Sequence, residues 1–288
     1  MKPWWVAFAI GCGSPEPDAP TDGATADGMP DVPAGCELPA LDAATPELAG
    51  WLTGLPAPRA TIQQRNDART FLLAELAGLG YTAETHQYNN GANVVATLPA
   101  TMGAGKGIIV GAHFDTVSGS PGANDNASGT VAVLGVAKLL AGVSCRTAPV
   151  TIAFFDQEEL GLFGARAYAM SIDPDTIAAV HTIDQVAWDE DGDRRFELEA
   201  GTATLNAEWT AAAGIVGVPV TKVPTEGTDH EAFRALGFAA IGLTEEFVGN
   251  DTSPHRHLAT DTTDTADLPY LALATKLAAQ VVISEISP

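Results

Sequence analysis

The chain has 288 residues, of which 46% are hydrophobic, and its 36 acidic and 14 basic residues give a formal net charge of −22. A chain of this length and apolar content can bury one substantial core. Its acidity argues against nucleic acid or an anionic membrane surface as a partner.

The N-terminus has the pattern of an export signal. Lys2 precedes an apolar run at residues 4–11, which is too short to span a bilayer. The letters AIGC that end at Cys12 resemble the lipobox of bacterial lipoproteins, so residues 1–12 are predicted to be a signal peptide with Cys12 as the lipidation site. We therefore expect export and anchoring to the bacterial cell envelope, with the lipid as the one membrane contact. Cleavage to a periplasmic or secreted protein, or an uncleaved start, are the alternatives.

Residues 13–38 are rich in Pro, Gly and Asp. Such a segment cannot bury enough apolar surface to offset its ordering entropy, so it is predicted to be a disordered tether ahead of a folded domain at residues 39–288. Two further cysteines, Cys36 and Cys145, could pair as one disulfide in an exported protein. Two separate thiols are the alternative.

The rest of the chain alternates between helical and strand patterns. Apolar spacing predicts a helix in RNDARTFLLAELAGLGY, NNG at residues 89–91 predicts a hairpin between two strands, and KGIIVGAH reads as a buried strand. Helices and strands then alternate up to a closing helix in ADLPYLALATKLAAQVVISEI. This order predicts an α/β protein with a largely parallel or mixed sheet covered by helices on both faces.

Acidic residues and histidines cluster where the predicted strands end. Ligands bind open α/β sheets beyond the carboxyl ends of the strands, so these side chains should converge there. Imidazole and carboxylate groups suit zinc, and a pair of dications would relieve the repulsion between the acids. The candidates are His113, Asp115, Asp125, Glu158, Glu159, Asp184 (placed within its strand), His255 and His257.

Two of these stretches also have simpler explanations. GANDNASG, which contains Asp125, has the composition of a turn followed by a helix cap. QEE, which contains Glu158 and Glu159, could be a solvated acid pair at a helix start. DEDGD at residues 189–193 is either a calcium loop or a hairpin turn.

The motifs AHFDT, GANDNASG, FFDQEELGLFGA, TIDQV, GTDHEAF and HLATDT resemble, in order and spacing, those of the zinc aminopeptidases of peptidase family M28. The resemblance runs from about Ala68 to the C-terminus. It implies a single-domain three-layer α/β sandwich with a mixed, mostly parallel sheet of about eight strands. It also implies a di-zinc aminopeptidase with two Zn²⁺ per chain, acting on peptides that have a free N-terminus.

The same resemblance implies the metal ligands. Asp125 would bridge both zinc ions, His113 and Asp184 would complete one site, and Glu159 and His257 would complete the other. A cis peptide bond is expected after Asp125.

Catalytic roles follow from the resemblance as well. Glu158 would be the general base toward a metal-bridging water, and Asp115 would hold the second ring nitrogen of His113. His230 and its neighbour Asp229 match a motif that lines the family's site, where they would support the metal ligands or orient the substrate.

One position departs from the family pattern. Several family members have a Tyr directly before the last His ligand, where this chain has Arg256 preceded by His255. Either residue could replace the Tyr as oxyanion donor, or the specificity could differ. His255 also competes with His257 as the ligand, and HLATDT favours His257. A glutaminyl-cyclase-like acyltransferase with one zinc and an inactive binding domain are the alternative functions.

Overall fold

The computed structural model describes residues 34–249 and 251–288, which are built on one eight-stranded sheet. The sheet order is β1-β2-β4-β3-β5-β8-β6-β7, and β4, β3, β5 and β8 form a parallel centre. The pairs β1–β2, β2–β4 and β6–β8 are antiparallel, whereas β6–β7 is parallel. The strands are β1 (Ala83–Tyr88), β2 (Gly91–Leu98), β3 (Gly107–His113), β4 (Val150–Phe155), β5 (Ile177–Ile183), β6 (Phe196–Glu199), β7 (Val220–Val223) and β8 (Ala240–Thr244).

Helices cover both faces of the sheet and bury two hydrophobic clusters. The larger cluster joins one face of the sheet to α1, α2, α3, α5 and α7, and the smaller one lies on the other face beneath α4 and α6. The predicted α/β sandwich with a mixed sheet is therefore confirmed. The helices are α1 (Thr45–Gly54), α2 (Ile62–Gly78), α3 (Gly129–Ala141), α4 (Phe163–Ala169), α5 (Ala203–Val216), α6 (Asp229–Arg234) and α7 (Leu268–Ile286).

Local sequence explains where several of these elements begin and how closely they pack. Thr61 and Gln64 form a capping box at the start of α2, and Asp267 caps α7 by accepting from the backbone N–H of Tyr270. Gly135 lets α3 approach α7, because a Cβ at this position would lie 2.5 Å from Cγ2 of Thr275. The predicted hairpin turn joins β1 to β2.

Three elements were missing from the sequence prediction: α1, β6 and β7. Strand β6 reads FELE, and its two acids obscure a strand pattern, yet Glu197 and Glu199 are almost fully buried. Glu197 accepts hydrogen bonds from the backbone N–H groups of Val248 (2.8 Å) and Gly249 (2.6 Å). This loop therefore replaces the water that would otherwise solvate a strand carboxylate.

The signal peptide, Cys12 and most of the tether lie outside the described residues. Among the residues that are described, no helix is long and apolar enough to cross a membrane. The boundaries predicted for signal, tether and domain remain predictions.

Cys36 and Cys145 form a disulfide that closes a sequence separation of 109 residues. Because a cross-link over so long a loop restricts the unfolded chain, replacing both cysteines by serine should lower the free energy of unfolding by about 2–5 kcal/mol. Urea denaturation of the wild type and the double variant measures this difference. A reductant should destabilise the wild type and leave the double variant unchanged, and equal unfolding midpoints for the two proteins would contradict the expectation.

Candidate metal centre

Five predicted side chains meet at the edge where the parallel strands end. His113 is the last residue of β3, and Asp184 directly follows the last residue of β5 rather than lying within the strand. Glu159 lies in the loop after β4. The turn between β3 and α3 contributes Asp125, and the loop after β8 contributes His257.

The five side chains form two groups that share Asp125. In the first group, Nε2 of His113 lies 3.4 Å from Oδ1 of Asp184 and 3.6 Å from Oδ1 of Asp125. In the second, Nε2 of His257 lies 3.0 Å from Oδ2 of Asp125 and 3.2 Å from Oε2 of Glu159. The potential ligand atoms within each group all lie within 4.8 Å of one another. One carboxylate thus faces two sets of partners with its two oxygens.

Small residues around Asp125 allow the backbone to reach this position. The peptide bond between Asp125 and Asn126 is cis, inside the kinked turn Ala123–Ser128. Gly122 has φ +68°, and a Cβ there would lie 2.5 Å from the carbonyl oxygen of Asp125. A Cβ on Gly129 would lie 2.4 Å from the carbonyl oxygen of Ile183, so this glycine permits close contact with the end of β5.

Side chains from distant parts of the chain hold the same turn in place. Asp261 accepts hydrogen bonds from the backbone N–H groups of Asn124 (2.8 Å) and Asp125 (3.1 Å). The side-chain amide of Asn124 donates to Glu245, and that of Asn126 donates to the backbone carbonyl at the end of β5 (2.9 Å). The carboxylates of Asp261 and Glu245 are completely buried. Their hydrogen bonds, together with that of Asn126, hold the Asp125 turn from several sides.

Asp115 connects His113 to the loop that carries Glu158 and Glu159. Its Oδ1 lies 3.5 Å from Nδ1 of His113, which is the contact expected from the sequence. Its two oxygens also accept from the backbone N–H groups of Glu158 (2.9 Å) and Glu159 (3.3 Å), which the sequence did not reveal. The buried carboxylate of Asp115 therefore helps to position His113 of the first group, Glu159 of the second group, and Glu158.

The electrostatics of the cluster favour a bound cation. Burial raises the pKa of Glu158 to about 9, with Asp184 contributing in the same direction. Burial and the nearby charge of Asp125 raise the pKa of Glu159 to about 7. Burial alone would lower the pKa of His113, but Glu158 and Asp184 raise it well above its usual value. Burial and the mutual repulsion of the carboxylates thus disfavour their charged forms, and a bound cation would favour those forms.

Unsatisfied polar atoms show that the residues fit a metal. Among the residues that the structure describes, several buried atoms of the two groups accept or donate no hydrogen bond, a cost that coordination would remove. Two imidazoles and three carboxylates are a donor set that suits zinc. The atoms are Nε2 of His113, Oδ2 of Asp125, Oε1 of Glu159 and Oδ1 of Asp184.

Comparison with known proteins identifies the family. A profile of peptidase family M28 matches residues 93–282, about two thirds of the chain. The chain belongs to peptidase family M28. This membership confirms the resemblance drawn from the six motifs.

Two curated proteins are similar in sequence to this chain over about two thirds of its length. The probable lipoprotein aminopeptidase LpqL of Mycobacterium tuberculosis is 30% identical over 207 residues, which cover 66% of this chain and 40% of LpqL. Leucine aminopeptidase 2 of Arthroderma otae is 36% identical over 221 residues, which cover 68% of this chain and 43% of that protein. The matched regions thus span less than half of each relative.

Solved structures show the same fold. The LapA aminopeptidase of Legionella pneumophila superposes with a TM-score of 0.78 at 20% identity, over 88% of this chain and 77% of LapA. The zinc aminopeptidase BSAP of Bacillus subtilis gives 0.64 at 22% identity, over 68% and 50% of the two chains. The glutaminyl cyclase of Porphyromonas gingivalis gives 0.69 at 18% identity, over 86% and 99%. At these identities the comparisons describe the fold alone.

The other predicted site residues of this M28 chain lie at different distances from the centre. Nδ1 of His255 lies 3.0 Å from Oγ1 of Thr260, and its ring packs on Trp188, so it belongs to neither ligand group. His230 is fully buried, contacts Thr228 (2.8 Å) and is a member of neither group. Of these two histidines, neither joins His113 and His257 at the centre.

Asp229 and Arg256 lie closer to the two ligand groups. Burial raises the pKa of Asp229 to about 8, with Asp184 acting in the same direction. Nε of Arg256 lies 3.3 Å from Oδ2 of Asp125, so Arg256 reaches the shared carboxylate directly.

A third acidic group lies apart from the centre, in the loop before β6. Asp189, Asp191 and Asp193 come within 4.8 Å of one another. Each of their carboxylates accepts a backbone N–H of the same loop, as in a tight turn. The stretch is not a hairpin turn, because β8 lies between the flanking strands β5 and β6 in the sheet, and the calcium loop stays a prediction.

Sequence reasoning missed buried charged residues that contact the segments carrying the candidate ligands. Asp156, directly after β4, pairs with Arg65 (2.7 Å) and Arg69 (2.8 Å) of α2. Arg59 donates to the carbonyl oxygens of Pro121 (3.1 Å) and Gly122 (2.6 Å), just before the Asp125 turn. No local pattern marks these residues, because their partners lie 62 to 91 positions away in the sequence.

Proposed function

We propose that this protein is a zinc-dependent aminopeptidase with two zinc ions per chain, which hydrolyses the first peptide bond of peptides with a free N-terminus. The observation that carries the proposal is the shared carboxylate of Asp125, which faces a His and an acid on each side with Glu158 beside it. Family membership and the names of the curated relatives support peptidase chemistry.

The residues divide into two metal sites and one proton acceptor. Asp125 would belong to both metal sites, with His113 and Asp184 completing one site and Glu159 and His257 the other. Bound zinc would supply Lewis acidity toward the scissile carbonyl and toward the attacking water.

Glu158 would move the proton during hydrolysis. Its Oε2 lies 3.9 Å from Nε2 of His113, so its carboxylate borders the first ligand group without belonging to it. It would take a proton from water as the new C–O bond forms, and return that proton to the leaving amine as the C–N bond breaks. The backbone N–H groups of Glu158 and Glu159 donate hydrogen bonds to Asp115, and these bonds would keep the Glu158 carboxylate in place.

The acidic site would also explain a requirement for an unblocked N-terminus. An α-ammonium or amine group can bind among buried carboxylates, whereas an acetylated N-terminus carries no charge to offset them. Cleavage would therefore be restricted to the first peptide bond.

We also propose that the protein is exported, with a lipid on Cys12 as its membrane contact. The Cys36–Cys145 disulfide supports an oxidising compartment, and the relative LpqL is named a lipoprotein. Metabolic labelling with a fatty-acid probe, compared between the wild type and Cys12→Ser, tests the anchor.

Aminoacyl p-nitroanilides, their N-acetylated counterparts and a glutaminyl peptide test the reaction. We expect chelator-sensitive release of p-nitroaniline from the unblocked substrates only, and two zinc ions per chain by elemental analysis. Unchanged activity after complete demetallation would overturn the proposal. Cyclisation of the glutaminyl peptide without cleavage would instead assign the glutaminyl-cyclase-like reaction, and zinc binding with no reaction would assign a binding domain.

A further inference from the structure

Arg256 lies at the mouth of the candidate metal centre and has no part in the mechanism above. Its Nε lies 3.3 Å from Oδ2 of Asp125, its guanidinium carbon lies 5.2 Å from the centre of the Phe247 ring, and 40% of its side chain is exposed. Within residues 34–249 and 251–288, no other Lys or Arg forms an ion pair with any of the five candidate ligands. The charge of Arg59 also acts on Asp125 and Glu159, but Arg59 is fully buried, whereas Arg256 is exposed to solvent.

The guanidinium of Arg256 is held in place but keeps most of its hydrogen-bonding capacity. In the described part of the chain, its two terminal amino groups have no hydrogen-bond or ion-pair partner, and its contact with Asp125 runs through Nε alone. Oδ2 of Asp125 accepts no hydrogen bond from it despite the short distance, so the attraction is electrostatic. An Asp125 that serves as ligand to two dications would neutralise this guanidinium even less.

A guanidinium in this state is suited to a carboxylate. Its planar pair of amino groups matches the two oxygens of a carboxylate, and stacking on an aromatic ring fixes the plane. Phe247 provides that ring and is itself 38% exposed, so the Arg256–Phe247 pair is accessible from solvent.

The position of Arg256 selects which part of a substrate it can bind. The buried acids of the centre would hold the N-terminal amine, so a carboxylate that reaches the exposed rim belongs to the residue after the scissile bond. Val248, which follows Phe247, and Leu258, two residues after Arg256, are exposed as well.

We propose that Arg256 binds a carboxylate on the second residue of the substrate. The carboxylate is either the free C-terminus of a dipeptide or the side chain of an acidic second residue. Arg256 is then a specificity-determining residue that favours dipeptides or acidic second residues over other peptides. This inference deepens the proposed aminopeptidase function and rests on it.

Three substrates separate the two sources of the carboxylate: Leu-Gly, Leu-Gly-amide and Leu-Glu-amide. Leu-Gly and Leu-Glu-amide each carry one carboxylate. We expect the wild type to hydrolyse at least one of them with a kcat/KM at least about tenfold above that of Leu-Gly-amide, because Arg256 makes a charge-assisted hydrogen bond to the carboxylate. Preference for Leu-Gly assigns the terminal carboxylate, and preference for Leu-Glu-amide assigns the side chain. In Arg256→Met the ratio should fall toward one, mainly through KM, and Arg256→Lys should retain part of it.

Arg194→Met is the matched control, since Arg194 is exposed in the loop before β6 and adjoins α1 and α7 rather than the centre. It should keep the wild-type ratio, and thermal unfolding should show that all variants are folded. The proposal is overturned if the wild type shows no preference or if the preference survives in Arg256→Met. It is also overturned if Arg256→Met lowers kcat equally for all three substrates, since that result assigns Arg256 to the chemical step.

Calorimetric titration of the zinc-loaded wild type with product-like Gly and Glu derivatives tests the carboxylate site separately from the proposed aminopeptidase function. Weaker binding of the free acids to Arg256→Met than to the wild type supports the carboxylate site even if no peptide is hydrolysed, in which case the proposed function alone fails. If neither hydrolysis nor carboxylate-dependent binding is detected, both the proposed function and the carboxylate site are overturned.

Discussion

Replacing Glu158 with glutamine should lower kcat by about 10²–10⁴-fold, because glutamine cannot accept the proton of the attacking water. The zinc content should stay at the wild-type value, since Glu158 lies beside the two ligand groups and belongs to neither. The amide preserves the size of the side chain, so the loop held by Asp115 should keep its conformation. Steady-state kinetics on leucine p-nitroanilide, together with elemental analysis of the same samples, measures both quantities.

Glu159→Gln is the matched control, because it changes the adjacent residue in the same loop. Glu159 belongs to a ligand group, so this variant should lose zinc as well as activity. A folded, zinc-loaded Glu158→Gln protein with near wild-type kcat would remove Glu158 from the proposed mechanism.

Replacing Asp125 with alanine should remove zinc from both sites. Asp125 is the one residue that belongs to both ligand groups, and it places one oxygen near His113 and the other near His257. Each remaining group would keep only two ligands, fewer than the three protein ligands that catalytic zinc sites usually have. Zinc titrations of the demetallated proteins should therefore show both affinities reduced.

Asp184→Ala is the comparison, since Asp184 belongs to the first group alone. It should weaken one zinc site and leave the other at the wild-type affinity. Equal losses in the two variants would contradict a shared carboxylate, and so would a second site that stays intact in Asp125→Ala.

The residues of the centre could be found from sequence because they follow strands with strong apolar patterns. His113, Glu159 and Asp184 each lie within four residues of the end of a buried strand, and parallel strands bring such ends to one edge. The same logic placed Asp125 there, although the turn that carries it needs a glycine at position 122, which the strand pattern does not specify.

The supporting residues could not be found in this way, because tertiary contacts alone define their roles. Glu197 in β6 has the polarity of a surface residue, and hydrogen bonds from the backbone N–H groups of Val248 and Gly249 offset the cost of burying it. Asp156 needs two arginines of α2, and Asp261 caps a turn that lies 136 positions earlier in the chain. Intrinsic propensity and periodicity contain no information about such distant partners.

The disulfide has a consequence for how the protein can be attached to other objects. Cys145 lies in the connection between α3 and β4, at the edge where β3 and β4 begin, whereas the metal centre lies where these strands end. Cys36 therefore fastens the start of the described chain to the far side of the sheet. A tag ahead of residue 34 would therefore attach the molecule to a bead from the side of the sheet opposite the five candidate ligands.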